Sequence, residues 1–418
     1  MSQIFENVAC TVCGCVCDDL TVTVDAGRVV AAERACDLAK PWFLGQTTHS
    51  GPSAWLDGQP CSTTNAIERA VAILSAAKSP LIYGLSHSST EAQRAATALA
   101  DRLGANIDTT ASTGHAPSII ALQQAGESTC TLGEVKQRAD LVIYWGCDPD
   151  QTHPRHRERY APPRPGRKTI FIDDREPESV QSGDDFIPVT AGCHWEALAS
   201  LRLLVKGIEP TLPIGESFRK LSQEMLACRF GIVFFGAGLT AGPMAHRTVE
   251  ELLRLVTELN EGRRFYARRM RRSGDVAGAD SVLAWQTGYP FGVDFSRGFP
   301  RYNPGEFTGP DRLARGEPDC CLFVGGAVAK DFPLVAREHL SRIPVIVLDS
   351  PGELLIVPAA VRFTTAIYGI HRPGTAYRMD EVPIPLRPLL ATNLPSDADI
   401  LNAILKAISD SDVPLASS

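Results

Sequence analysis

The stretch Ala139-Asp140-Leu141-Val142-Ile143-Tyr144-Trp145-Gly146-Cys147-Asp148-Pro149 decides the fold. Its apolar run from Leu141 to Trp145 is short and shows no polar alternation. A strand buried on both faces reads this way, and such strands belong to parallel sheets covered by helices. A glycine, an acid and a proline then follow, and open α/β sheets hold ligands beyond the carboxyl ends of their strands.

The pattern repeats on either side. Residues 80–84, 168–173, 231–236, 320–325 and 343–349 read as buried strands, several ending in small or acidic residues. Between them, 64–78, 90–103, 195–206 and 246–259 place apolar residues at helical spacing; Thr63, Thr64 or Asn65 could cap the first, and Ser89 or Thr90 the second. Alternating strands and helices give an α/β fold with parallel sheets. The 286–310 stretch, rich in Gly, Pro and aromatics, reads as an ordered loop, and 409–418 as a frayed tail.

With 418 residues, the chain is long enough for two or three domains. A net charge of −7 gives no general attraction to nucleic acid or an anionic membrane. No apolar run approaches the roughly 18 residues of a membrane span. The start, MSQIFENVAC, lacks a basic segment followed by an apolar core, so no signal peptide is read. Twelve cysteines without a secretory signal point to reduced thiols and a few metal ligands, in the cytoplasm.

Four of those cysteines form a pattern. Cys10, Cys13 and Cys17 follow C-x2-C-x3-C, and Cys36 comes after a hairpin over 18–32 that turns at Ala26-Gly27. Close thiolates on a tight loop can each bind one iron of a 4Fe-4S cluster. The C-x2-C start also fits zinc, and the bland reading is a set of buried thiols. Cys15 reads as a spare thiol between two ligands. No G-x-G-x-x-G, P-loop, G-x-S-x-G or H-E-x-x-H motif occurs.

Several motifs together resemble one family. They are the cysteine set, Thr131–Glu134, the opening stretch with His153-Pro154-Arg155-His156, then Thr287–Pro290, Val293–Gly298, Pro300–Gly305 and Gly374–Asp380. This looks like the B subunit of formylmethanofuran dehydrogenase, within the molybdopterin oxidoreductase superfamily. The resemblance runs from Cys10 to about residue 385. It implies a molybdopterin-oxidoreductase-like α/β fold, a 4Fe-4S cluster and a tungsten or molybdenum bis-pterin cofactor.

In that family a cysteine or selenocysteine thiolate ligates the metal, in a segment like S-x-C-H-G-P-S. Here the segment is Ser112-Thr113-Gly114-His115-Ala116-Pro117-Ser118, with Gly114 at the ligand position. Glycine has no side chain and cannot supply a thiolate. By position, His115 would handle protons and Arg271 would steer a carboxylate substrate; with Gly114 beside it, His115 reads instead as a hydrogen-bonded structural histidine, and no catalytic residue is expected. Lys40 falls where the superfamily keeps a basic residue between cluster and pterin; the alternative reading is a solvated lysine just ahead of Pro41. Asp148, His153, Asp173 and Arg175 fall where it contacts the pterin's nucleotide; loop capping is the alternative reading for them. For Arg268, Arg269, Arg271 and Arg272, the alternative is a basic surface patch facing an acidic partner, such as a polyglutamate carrier tail.

Loss of the ligand matches a branch of the family, the B subunit of the bacterial formyltransferase/hydrolase complex. That resemblance implies A, C and D subunits as partners, a methanofuran-like carrier nearby, no tungsten or molybdenum pterin, and a structural part in one-carbon metabolism during formaldehyde oxidation. The other readings are a working tungsten or molybdenum dehydrogenase and an iron–sulfur electron-transfer subunit without pterin. The expected domains are a Cys-bearing one over 1–50, joined by 355–390; an α/β domain over 51–145 and 237–354; an inserted α/β domain over 146–236; and a C-terminal segment over 391–418.

Overall fold

A computed structural model describes residues 2–212, 214–272, 274–353 and 356–411. The chain folds as two units, one of Met1–Thr113 with Ser273–Ser418 and the other of Gly114–Arg272.

In the first unit the N-terminus makes a small antiparallel sheet. The hairpin of Leu20–Asp25 and Arg28–Glu33 forms as its alternation predicts, with Ala26 and Gly27 both at positive φ (46° and 75°). That pair suits a two-residue hairpin turn. Gln3–Val8 adds an edge strand that the sequence did not announce, because its side chains are mostly exposed and carry no alternation.

The rest of this unit is built on a nine-stranded sheet. Its five parallel central strands lie in the order Asn106–Thr109, Pro80–Gly84, Cys320–Val324, Val345–Asp349, Val361–Thr364. Short antiparallel strands flank them, two of which (Val293–Asp294, Arg301–Tyr302) lie in the stretch read as a loop. The helix Thr90–Leu103 shows why the layers close. Ser89 caps it, Gly104 ends it at φ 64°, and half of its buried face is alanine, the rest Gln93, Thr97, Leu99 and Leu103. Small side chains let it pack on the helices Val276–Thr287 and Asp397–Asp410. That last helix fills half of the expected C-terminal segment; residues 412–418 of the expected tail lie outside the described residues.

The second unit is a five-stranded, all-parallel sheet ordered Asp185–Pro188, Lys168–Asp173, Leu141–Trp145, Phe230–Phe235, Arg264–Arg269. It runs wider than 146–236 because the earliest and latest of its strands along the chain, Leu141–Trp145 and Arg264–Arg269, hydrogen-bond into the same sheet. The helices His194–Val205 and Ala245–Leu259 appear where the spacing placed them and pack on each other.

Candidate functional site

In each unit strand order fixes where a ligand could sit. Chain order reverses between Pro80–Gly84 and Cys320–Val324 in the first unit, and between Leu141–Trp145 and Phe230–Phe235 in the second. At such a point the loops leave in opposite directions and open a crevice beyond the strand ends.

In the second unit, glycines line this point. Gly146 has φ 60°, and a Cβ there would lie 2.9 Å from Gly238 Cα. A Cβ on Gly236 would lie 2.5 Å from Cys147 Cβ. The two loops therefore meet backbone to backbone, with the Gly238 N–H donating to Gly146 O at 2.9 Å.

The residues flagged for a nucleotide divide by what they touch. Asp148 accepts from Glu178 N at 3.0 Å, from Gln151 N at 3.4 Å and from the Ser179 hydroxyl, so its carboxylate organises the loop. His153 is fully buried, and burial pulls it down to about 4. The neutral ring donates from Nε2 to the Arg271 carbonyl at 2.7 Å, which joins two flagged residues through backbone. Asp173 closes the strand Lys168–Asp173 half-buried; burial raises its carboxyl, and His194 pulls the other way. Trp145 Nε1 donates to His194 Nδ1 at 3.1 Å. Arg175 is exposed.

The arginine run is not a basic surface patch. Arg268 and Arg269 end the strand Arg264–Arg269, and both are buried with Arg271; only Arg272 is exposed. Arg268 Nη2 donates to Cys130 O at 2.8 Å, and Arg269 pairs with Glu127 at 3.2 Å. Alternation was hidden because the charged heads go inward to partners, not out to water.

The Ser112–Ser118 segment lies across the boundary of the units. Gly114 ends the short helix Ala111–Gly114; it is exposed, and a Cβ placed there would meet nothing within 4 Å. His115 is buried, and its carbonyl accepts from Ser118 N at 3.0 Å and Ser118 Oγ at 2.8 Å.

In the first unit the cysteine loop is closed by Cys10 N–H to Cys17 O at 2.8 Å and Val16 N–H to Cys13 O at 3.1 Å. The segment after Ile367, together with Gly274, clamps it. Met379 N donates to Gly14 O at 2.8 Å, Gly274 N to Val12 O at 3.2 Å, and Val16 packs with Tyr368, Ala376, Ile384 and Leu386. Cys10, Cys13 and Cys17 are buried and Cys36 half-buried. Their sulfurs are close enough to act on one another electrostatically: burial first, then Cys13, Cys17 and Cys36, push Cys10 well up. Cys13 is lowered, chiefly by a hydrogen bond with Cys15, whose own thiol is pushed well up. Among the described residues no three His, Cys, Asp or Glu side chains converge as ligands of one ion. Lys40 is exposed in the helix Ala39–Leu44.

Sequence reading missed the first unit's crevice. Leu85, fully buried at φ 74°, and Gly84 at φ 117° hold the end of Pro80–Gly84 in strained backbone beside Val324. His87 and Lys330 lie beyond these strand ends, and both are exposed. The signal was available: each strand is followed or ended by glycine, Gly84 in one and Gly325 in the other.

No protein-family model matches the chain. It is 36% identical over 98% of its length to the B subunit of tungsten-containing formylmethanofuran dehydrogenase 2 from Methanocaldococcus jannaschii, all of which is covered. It is 35% identical over 98% to the same protein of Methanococcus maripaludis, of which 99% is covered. Over 66% of the chain it is 26% identical to the B subunit of the formyltransferase/hydrolase complex of Methylorubrum extorquens, covering 75% of that protein. Among solved structures, a chain of that complex, determined with methylofuran, superposes with TM-score 0.74 at 23% identity, over 87% of this chain and all of that one. Acetylene hydratase from Pelobacter acetylenicus superposes with TM-score 0.61 at 9% identity, over 96% of this chain and 70% of that one. Both are likenesses of fold.

Proposed function

Because the chain belongs to the family of formylmethanofuran dehydrogenase B subunits, we propose that it is the B subunit of a formyltransferase/hydrolase complex and serves that assembly structurally, without carbon dioxide reduction of its own. The observation that carries this is Gly114. A reaction at tungsten or molybdenum depends on the ligands that set the metal's electronics. At Gly114 the thiolate is absent, while the added-Cβ position is open and the backbone is not left-handed. Neither crowding nor φ demands glycine there. A fold that keeps its layers after losing the ligand can still position neighbouring A, C and D subunits and border the path of a formyl carrier.

Asp148 and His153 support the same reading, since both are engaged in holding loops. The cysteine set is the candidate site of a 4Fe-4S cluster.

The test is elemental analysis of the purified complex. We expect no tungsten or molybdenum in the native protein; about one per chain overturns the reading. A Gly114→Cys variant expressed with tungstate or molybdate extends it. Metal uptake there would mean that only the ligand has been lost.

A second reading is a working tungsten dehydrogenase whose metal has no protein ligand. It is favoured by the 36% identity to a tungsten-containing relative, spread over nearly the whole chain. Formylmethanofuran-dependent dye reduction by the native complex would establish it.

A further inference from the structure

The amino end of the second unit's sheet, opposite its crevice, gathers positive charge. Helices in this fold run against the strands, so Leu132–Arg138, Glu216–Ala227 and Ala245–Leu259 all end there. Lys136, Arg138, Arg164 and Arg167 surround the first helix end, Arg229 follows the second, and Arg263 and Arg264 follow the third. Strand register sets them in a row: Arg264 pairs with Phe230, and Leu141 with both Gly231 and Lys168. From Arg167 to Arg264 the row crosses four strands, roughly 14 Å. Arg164 and Arg167 are held rigidly. Arg164 donates to Lys136 O, Gln137 O and Ala139 O at 3.2, 2.9 and 3.0 Å. Arg167 donates to Val135 O, Lys136 O, Ala139 O and Pro162 O, each at 2.9 Å. These partners are neutral carbonyls, which fix the guanidinium groups without cancelling their charge.

Local acids do not balance this end. Asp140 accepts from Arg229 N at 3.0 Å and Phe230 N at 2.9 Å, and pairs with the Arg229 side chain at 3.4 Å. Glu261 is exposed in the turn before Arg263. Glu224 and Glu258, near two of the helix ends, are engaged with Lys168 and Arg202 instead. Among the described residues, seven cations therefore stand against two acids. Helix dipoles account for part of the excess, since a C-terminus carries about −0.5 charge and three supply about −1.5. Most of it is left over, in a chain whose net charge is −7. We propose that this end of the unit docks a carboxylate-rich segment of a second polypeptide, a neighbouring subunit of the assembly. Six of the seven cations are arginines, whose forked N–H groups suit carboxylates. The row matches about four residues of extended chain, room for a few carboxylates. Nucleic acid gains its affinity by neutralising many phosphates, and the net charge of −7 works against that. The inference rests on the assembly reading of the chain and is independent of the reading of Gly114.

The experiment is carbodiimide cross-linking of the native complex, which joins an amine directly to a carboxylate in contact with it, followed by mass spectrometry of the linked peptides. Lys136 is the amine already present; Arg229→Lys and Arg264→Lys add two more and keep the charge. We expect all three to link to Asp or Glu of another polypeptide. Reversing Arg138, Arg229 and Arg264 together to Glu should weaken binding of that partner roughly a hundredfold at low salt. Wild-type binding should itself weaken as salt rises. The same three positions changed to Gln remove charge without reversing it; that variant should fall between the two and guards against misfolding. No link to another polypeptide in an intact complex overturns the proposal, as does unchanged partner affinity in the reversed variant. Links confined to a second copy of this chain overturn it as well. So does a reversed variant that keeps its partner and loses only a synthetic polyglutamate or an oligonucleotide, because each names a different occupant. A chain that purifies alone defeats the assembly reading too, whereas an intact complex without these links defeats this inference only. Tungsten or molybdenum in the native protein, which would overturn the reading of Gly114, is a separate measurement.

Discussion

Two short segments hold the proposed cofactor positions of this chain, and they differ in how the protein holds them. The Cys10–Cys17 loop is clamped from several sides: it hydrogen-bonds across itself, accepts amides from Gly274 and Met379, and packs Val16 in a strained conformation that only surrounding contacts sustain. At Gly114, in Ser112–Ser118, the position of the family's metal ligand opens onto unfilled space. Backbone strain persists where the surrounding structure over-determines it. The loop is therefore specified by the fold, whereas the glycine is only permitted by it. On the proposed reading, ligand sets for two cofactors can be lost independently, because different contacts maintain them.

The strongest way to break this contrast is to remove a cluster ligand. Cys17→Ala should drop iron from about four per chain to a small residue, because a tetranuclear cluster needs its four thiolates. Colour and iron content check it. An iron-free wild type would make the loop and Gly114 alike, two remnants, and the contrast would vanish.

Acid should separate the two units that contain these segments. In the second unit, burial pulls His153 to about 4 and His156 to about 3, both below the ordinary value of 6.5. The unfolded chain then binds more protons, so this stability is complete above pH 6.5 and is lost as pH falls towards 4. The loss is on the order of 3 kcal/mol for His153. In the first unit burial pushes Asp108 and Asp275 up to about 7, against the backbone amides that they accept. There the folded chain holds the extra protons, so stability is present below about pH 4 and lost as pH rises through 7. Hydrogen exchange at pH 5 against pH 7 should show Leu141–Trp145 losing protection while Pro80–Gly84 keeps or gains it. Equal loss in both strands would sink the expectation.

These buried groups also mark how far the sequence could be read. Strands made of an unbroken apolar run, such as Leu141–Trp145 and Cys320–Val324, announced themselves, as did helices with a cap and a stripe, such as Thr90–Leu103. Arg264–Arg269 did not, because half of it is arginine and the partners that make burial tolerable, Glu127 and the Cys130 carbonyl, are more than 130 residues away. Asn106–Thr109 hides Asp108 in the same way: its oxygens accept from Gly292 and Gly309, far along the chain. At the candidate site the residue identities were legible, Gly114 above all. What each residue touches was not, so Asp148 and His153 could be placed but not assigned work.

Val16→Gly sharpens the contrast from the loop side. It removes about 1.5–3 kcal/mol of side-chain burial and adds glycine's conformational entropy, against about 1–2 kcal/mol of relieved strain. The first unit should lose about 1–2 kcal/mol, read as a lower urea midpoint, and the loop should exchange faster. A stabilised variant would mean that strain, not packing, dominates at Val16.

Gly114→Ala tests the other side, with the smallest effect. The glycine ends a short helix without a left-handed φ, and an added Cβ meets no atom within 4 Å. Alanine should therefore raise stability by about 0.4–1 kcal/mol, by restricting the unfolded chain and not by adding a contact. The urea midpoint should rise at unchanged slope, since the surface exposed on unfolding stays the same. A fall would reverse the reading of this position. It would mean that the fold requires glycine here, so that absence of the thiolate followed from packing and not from disuse of the metal. Gly114 would then be as tightly specified as the cysteine loop, and it would carry no information about whether the metal chemistry was abandoned.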